Sequence, residues 1–261
     1  MVYFVLLLFG LFVGSFLNVL ADRLPKGEDV LWGRSHCDFC RHKLVWYELI
    51  PLLSFILQNG KSRCCHKKLS VQYPISELAT GIGFALIYYH QQSTINNTIF
   101  SPSFLIPYSL FLILFSSLLV IFISDLKYEI IPMEMILVGF LVAVAQFFLF
   151  PNLLVSLSSH LLSALGAGLF FFCLWFFSKG KAMGDGDIYL SALIGFLLGF
   201  PDIVIALYGA FLTGAVSGII LVLGRKKSLK AHIPFGPFLI VGYGIALLWG
   251  DTILRMWRLV W

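Results

Sequence analysis

Between Phe104 and Asp125 the chain reads FLIPYSLFLILFSSLLVIFISD, uncharged from Phe104 to Ile123 and ending on an aspartate. About 20 mostly apolar residues cross the hydrocarbon core of a bilayer as one helix. A carboxylate at the edge of such a run is costly, and it is a functional suspect for that reason. Working outward, comparable runs recur at Val2–Ala21, Ile75–His90, Ile131–Phe150, Leu153–Phe177, Asp187–Phe200, Ile203–Leu223 and Ile233–Leu254. The reading is therefore about eight transmembrane helices, of which Ile75–His90 and Asp187–Phe200 are short and carry polar residues. The first run lacks the basic start and clear small-residue cleavage site of a signal peptide, so it is read as a retained anchor.

Composition agrees with that pattern. The 261 residues are 59% hydrophobic and 12% charged, with a mean hydropathy of +0.93. A soluble domain carries about 25% charged residues. Soluble single-domain, disordered and fibrous classes are thereby excluded, leaving an all-α polytopic membrane bundle. The net charge of +5 reports cytoplasmic loops rather than nucleic-acid binding. With an external N-terminus, sixteen of the eighteen Lys and Arg residues fall on one side and only Arg255 and Arg258 on the other, a strong positive-inside signal.

The organisation that follows has three parts. An N-terminal domain (1–91) holds the first span, a hydrophilic cytoplasmic insert (22–74) and the second span. A core (104–223) follows, then a basic loop with the last transmembrane helix (224–261). No internal repeat or low-complexity linker is evident. The sequon Asn96-Asn97-Thr98 reads as a polar outer loop.

Four of the five cysteines lie in the insert: Cys37 and Cys40 as C-x-x-C, then the adjacent pair Cys64 and Cys65. Cytosolic placement disfavours structural disulfides. Two thiolate pairs in a domain too small to bury much core suit a tetrahedral zinc site. A standard knuckle would repeat C-x-x-C, and adjacent cysteines are expected not to chelate together unless the backbone rearranges. His36, His42 or His66 could supply a fourth ligand. The competing reading is a knuckle without metal, its reduced thiols simply buried. Cys173, among Phe and Leu in the fifth span, reads as a packing residue.

Two acids stand out at the membrane edge. Asp125 ends the third span before the chain re-enters at Ile131-Pro132, where Pro132 suits the first turn of a helix. Asp187 opens the sixth span after Met183-Gly184-Asp185-Gly186. Both sit at cytoplasmic helix ends. Two carboxylates facing one another can share a proton and hold a water, one accepting its proton while the protonated partner polarises a carbonyl. Gly184 and Gly186 let an extended peptide approach as a substrate loop. The bland alternative is that each aspartate caps a helix N-terminus or turn. Asp185 rivals Asp187 for the second role, and Glu77, Glu129 and Glu134 are further membrane-edge acids.

These residues together resemble the prepilin peptidases (type IV leader peptidases) of the GxGD group of membrane aspartic proteases. The resemblance is carried by Gly14-Ser15-Phe16-Leu17-Asn18-Val19 with Arg23-Leu24-Pro25, and by Arg34 to Cys40. It continues through Glu48 to Ser54, Tyr73 to Leu78, Asp125-Leu126 with Ile131-Pro132, Gly184-Asp185-Gly186-Asp187, and Ile233 to Leu239. The resemblance implies that Asp125 and Asp187 are the catalytic pair and that Asp185 fills the variable position of GxGD. It also places Ser62 where a third cysteine of the insert is expected and Cys65 at the last, with Cys64 able to take the vacant role.

The implied function is an endopeptidase at the cytoplasmic face of the bacterial cell membrane. It would cut the short basic leader, after a glycine, from prepilin or pseudopilin precursors, with no catalytic metal. N-methylation of the new N-terminus with S-adenosylmethionine is associated with the insert in the family. The low charge and altered knuckle are similar to the enzymes of competence pseudopili in Gram-positive bacteria. Two other classes compete with this reading. An ion-coupled transporter would place acids at mid-helix depth, and a magnesium-dependent membrane phosphotransferase would need a denser acidic cluster.

Overall fold

The computed structural model describes residues 1–30, 32–33, 35–37, 39–94, 102–149, 157–181, 183–224 and 234–260. The sequon at Asn96, the basic loop from Arg225 and Ile233 of the closing motif lie outside the described residues.

The fold is all-helical. Its helices are α1 (Val2–Arg23), α2 (Leu53–Leu57), α3 (Gln72–Thr94), α4 (Pro102–Tyr128), α5 (Met133–Leu149), α6 (Leu157–Ser178), α7 (Gly186–Leu198), α8 (Asp202–Leu223) and α9 (Gly236–Val260). Each apolar run picked from the sequence contains a helix among the described residues. By length and composition, α1, α4, α6, α8 and α9 can cross a membrane, while α5 and α7 are shorter apolar helices. Large apolar side chains such as Leu86, Leu141, Leu162, Leu165 and Tyr208 point outward. Helices can stand in lipid this way because each satisfies its own backbone groups. The protein is a multi-pass membrane protein. It folds as two compact units, Met1–Ile123 and Ser124–Trp261, so that the end of α4 opens the second unit.

In the first unit, α1 and α3 approach at Gly10 and Gly14, four residues apart on one face. Lipid tails provide no hydrophobic drive between helices, so small residues that permit close backbone packing decide where they meet. A Cβ on Gly10 would lie 2.6 Å from Gly81 Cα, and one on Gly14 would lie 2.8 Å from Glu77 Cα. At the lower end of this pair, polar groups satisfy each other. Ser76 Oγ donates to Asn18 Oδ1 at 2.6 Å, the Asn18 amide donates to the Tyr73 carbonyl at 3.3 Å, and Tyr73 OH donates to Asp22 at 2.8 Å. At the other end, Tyr88, Phe104 and Tyr108 form a buried aromatic cluster.

Gly14→Leu is expected to destabilise the protein by about 1–3 kcal/mol through overpacking. Gly166→Ala, on α6, introduces a methyl with nothing within 4 Å and should leave the unfolding midpoint in detergent unchanged. Thermal unfolding of both variants checks this.

In the second unit, glycines again set the close approaches. Gly195 of α7 meets the Ser163 backbone of α6 at 2.5 Å, Gly139 of α5 faces Leu193 of α7 at 2.7 Å, and Gly242 of α9 lies against Ala206 of α8, all measured from the position a Cβ would take. Phe235, just ahead of α9, packs 5.8 Å from Phe171 and 5.1 Å from Phe211 between ring centroids. These rings anchor the start of α9.

Candidate active site

Asp125 lies within the last turn of α4, not at its end, because the helix continues to Tyr128. Glu129, at φ 56°, then turns the chain back, with its amide bonded to the Asp125 carbonyl at 2.9 Å. Pro132 stands one residue ahead of α5, and its carbonyl accepts from the amides of Met135 and Ile136. This reversal places Ile131 between the two aspartate segments. A Cβ on Gly186 would lie 2.8 Å from Ile131 Cβ, and one on Gly236 would lie 3.2 Å from Ile131 Cδ1. The Gly236 amide donates to Asp125 Oδ2 at 3.0 Å. Asp125, Ile131, Gly186 and Gly236 therefore form one packed corner, with Asp187 immediately after Gly186.

Both aspartates are 5% exposed. Their surroundings differ. Asp125 has its amide partner on Gly236. Asp187 has Gly184 beside it, while its Oδ1 is buried with no hydrogen-bond partner among the described residues. A buried carboxylate oxygen left unpaired costs about 1–3 kcal/mol or more, so a water or substrate group belongs there.

The cap itself is Asp185, with Asp187 in the first turn of α7, where a carboxylate also suits the helix dipole. The exposed Asp185 side chain accepts from the Gly186 amide at 3.0 Å and N-caps α7. Gly236 is a site residue that reading the sequence missed. The Pro-Phe-Gly-Pro run at 234–237 marked it only as part of a motif, because its contact with Asp125 joins residues 111 positions apart.

The insert forms a second centre, in the first unit. The expectation of no internal repeat is overturned here. Backbone bonds Leu44 N to Ser35 O, Cys37 N to His42 O and Arg41 N to Cys37 O recur as Leu69 N to Gly60 O, Ser62 N to Lys67 O and His66 N to Ser62 O. The isolated bridges His36–Lys43 and Lys61–Lys68 match as well. Arg41 and His66 both take φ 55°. The two knuckles thus superpose at an offset of 25 residues, the Cys37–Ser62 separation. The divergent side chains hid this repeat, since few positions beyond Cys40/Cys65, Lys43/Lys68 and Leu44/Leu69 agree.

In this register Ser62 replaces a cysteine, and Cys64 comes from an in-between position. The four sulfurs of Cys37, Cys40, Cys64 and Cys65 nevertheless lie within 4.8 Å of one another. The adjacent pair Cys64 and Cys65 therefore does reach one centre, the case that the sequence makes conditional on a change of loop backbone. Buried Ser62 bridges them, 3.3 Å from Cys37 Sγ and 3.0 Å from Cys64 Sγ. Burial pushes the Cys37 thiol up, but the bonds from Ser62 and the backbone of Cys40 and Phe39 outweigh it and bring it down to about 6. Its bond with Cys64 pushes exposed Cys40 up to about 12. Sulfurs this close fit a soft divalent cation, whose binding displaces their protons.

Residues 8–91 match the Bacterial Peptidase A24 N-terminal domain, and residues 112–219 match the Type IV leader peptidase family. Among similar proteins is a prepilin leader peptidase/N-methyltransferase of Bacillus subtilis, 33% identical over 257 residues, covering 97% of this chain and 96% of the relative. Proteins of the same name from Pseudomonas aeruginosa (30% over 277 residues, 95% and 91% covered) and Aeromonas hydrophila (33% over 282 residues, 95% and 91% covered) are also similar. No solved structure matches. With one model matched over residues 8–91, a second over 112–219, and relatives aligned over nearly their whole length, the chain belongs to the type IV leader peptidase family.

Proposed function

We propose that this protein is a membrane aspartic endopeptidase that removes the basic leader of prepilin-like precursors at the cytoplasmic face of the bacterial cell membrane, with Asp125 and Asp187 as its catalytic pair. The reading rests on one observation above all: two buried aspartates share a corner, and one of them carries a buried oxygen without a hydrogen-bond partner among the described residues. The pair holds one proton and one water. The ionised carboxylate takes a proton from the water as its oxygen attacks the scissile carbonyl carbon. The protonated partner gives its proton to the carbonyl oxygen. Collapse of the resulting diol breaks the C–N bond, and a proton passes to the leaving nitrogen, so no covalent enzyme intermediate forms. Gly236 fixes Asp125 through its amide, and Gly184 and Gly186 leave room for an extended substrate.

The substrate's apolar helix lies in the bilayer while its basic leader stays in the cytoplasm. Engaging both raises the effective concentration of the scissile segment. Incubating membranes that contain this protein with a prepilin-like precursor tests the reading. The expected result is a single cut after the leader glycine, read by mass. An intact precursor overturns it.

We assign methylation of the new N-terminus to the N-terminal domain (1–91), the peptidase to 104–223, and the last helix to 224–261. S-adenosylmethionine supplies the methyl group to the N-terminal amine. The cavity at the base of α1 and α3 is lined by Asp22, Glu48 and Glu77 together with Arg23, Lys26 and Arg63, with Phe55 and Leu69 as apolar walls, so acids for the sulfonium and basic residues for the carboxylate of such a donor share one site. Transfer of labelled methyl to the cleaved product is the corresponding assay.

The four cysteines suit zinc as a structural ion. Purified protein is expected to carry about one zinc per chain. Cys64→Ser should weaken its retention against a chelator by at least about tenfold. The double variant Ser62→Cys/Cys64→Ser, which restores the symmetric C-x-x-C, should recover it. Equal retention in all three proteins would remove Cys64 from the ligand set.

A further inference from the structure

The insert carries an outward apolar face that neither the catalytic corner nor the cysteine centre uses. Leu53, Ile56 and Leu57 lie at i, i+3 and i+4 on the short α2 and are 56%, 65% and 80% exposed. Trp46, in the 3₁₀ turn just before, is 77% exposed. Phe55, on the inner side, packs toward Gly60. The apolar face adjoins positive charge, since Leu53 and Leu57 line the same cleft as Lys61, Arg63 and His66. In a water-facing domain such a contiguous apolar patch marks an interaction surface.

The position of α2 selects the partner. The Leu52 amide donates to Glu77 Oε2 at 2.8 Å, which fixes the start of α2 to the second turn of α3. Outward apolar residues of α3 begin at the same level, with Ile75, Leu78 and Ile82 all exposed. From Leu52 to Leu57 is five residues, and at 1.5 Å per helical residue Leu57 lies only about 7.5 Å from that anchor. The headgroup layer is about 5–7 Å thick on each side of the hydrocarbon core. The exposed face of α2 thus starts at the level where the outward apolar residues of α3 begin, and its reach from that anchor is comparable to the thickness of the headgroup layer. Apolar side chains with a Trp and flanking Lys and Arg are what interfacial segments use on anionic lipid.

We propose that α2 and Trp46 form an interfacial anchor, seated in the anionic phospholipid headgroups of the same bilayer that holds α1 and α3, with Lys61 and Arg63 facing lipid phosphate. The anchor would hold the cysteine-containing insert against the membrane surface.

The test uses the full chain in nanodiscs containing phosphatidylglycerol. A photoreactive benzoylphenylalanine replaces Leu57 in one variant and, as a reference, the outward Leu86 of α3 in another. The expected result is a phospholipid adduct at position 57 with a yield at least about one-third of that at position 86. A lower yield, or an adduct with protein in place of lipid, overturns the proposal. A second measurement avoids the bulky label. Trp46 is retained while the other five of the six tryptophans become Phe, and quenching by brominated lipid is recorded. Quenching should be stronger with phosphatidylglycerol than with phosphatidylcholine, and Lys61→Glu/Arg63→Glu should abolish that difference. Absent quenching, or quenching indifferent to lipid charge, counts against the anchor.

Discussion

Asp187→Asn is expected to reduce leader cleavage by roughly 10²–10⁴-fold, the range for loss of a positioned general acid–base group, and Asp125→Asn by a similar factor. Asparagine keeps the shape and hydrogen-bonding size of each side chain but can neither accept the water's proton nor cycle one. Both variants should remain in the membrane with unchanged unfolding midpoints, because neither aspartate packs the helix contacts at Gly139 or Gly195. Since the two act on one water, the double variant should be little worse than either single one. Asp185→Asn is the control. Asparagine caps helices about as well as aspartate, and this exposed side chain bonds only to the amide of Gly186 among the contacts described. Its activity should stay within a few-fold of the parent. A precursor-cleavage assay at matched membrane content measures all three, and substantial activity in Asp125→Asn or Asp187→Asn ends the two-aspartate mechanism.

Gly236→Ala is the second large expected effect. The added methyl carbon would stand 2.7 Å from Asp125 Oδ2 and 3.2 Å from Ile131 Cδ1. Neither neighbour can yield freely, since the Asp125 carboxylate is held by the Gly236 amide itself and Ile131 is packed against Gly186. The carboxylate must shift, and a shift of about 1 Å at a reacting group costs roughly 10² in rate. The loss should appear in kcat with little change in KM. Gly166→Ala provides the contrast, because its methyl meets nothing within 4 Å and lies outside the catalytic corner. Parent-like kcat in Gly236→Ala would show that the closing motif does not position Asp125.

Much of this protein was legible without coordinates because the bilayer is a severe solvent. A run such as Phe104–Ile123 has only one low-energy way to satisfy its backbone there. The helices, the charge asymmetry and the two membrane-edge aspartates therefore follow from one-dimensional patterns. Short-range signals were less reliable. Pro132 falls just outside its helix, and Asp125 lies inside one, because helix ends depend on what packs against them.

The chain alone determined the helical membrane class and the acids and thiols available for chemistry, since hydropathy and residue type are properties of local sequence. Tertiary structure alone decided how they are used. It assigned Asp185 to a cap and left the Asp187 oxygen open. It brought Gly236 to Asp125 across 111 positions. It also paired two knuckles whose backbones agree where their side chains do not. The Gly236 contact in particular joins segments remote in the chain through close packing at a glycine, whose neighbours no single stretch of sequence reveals.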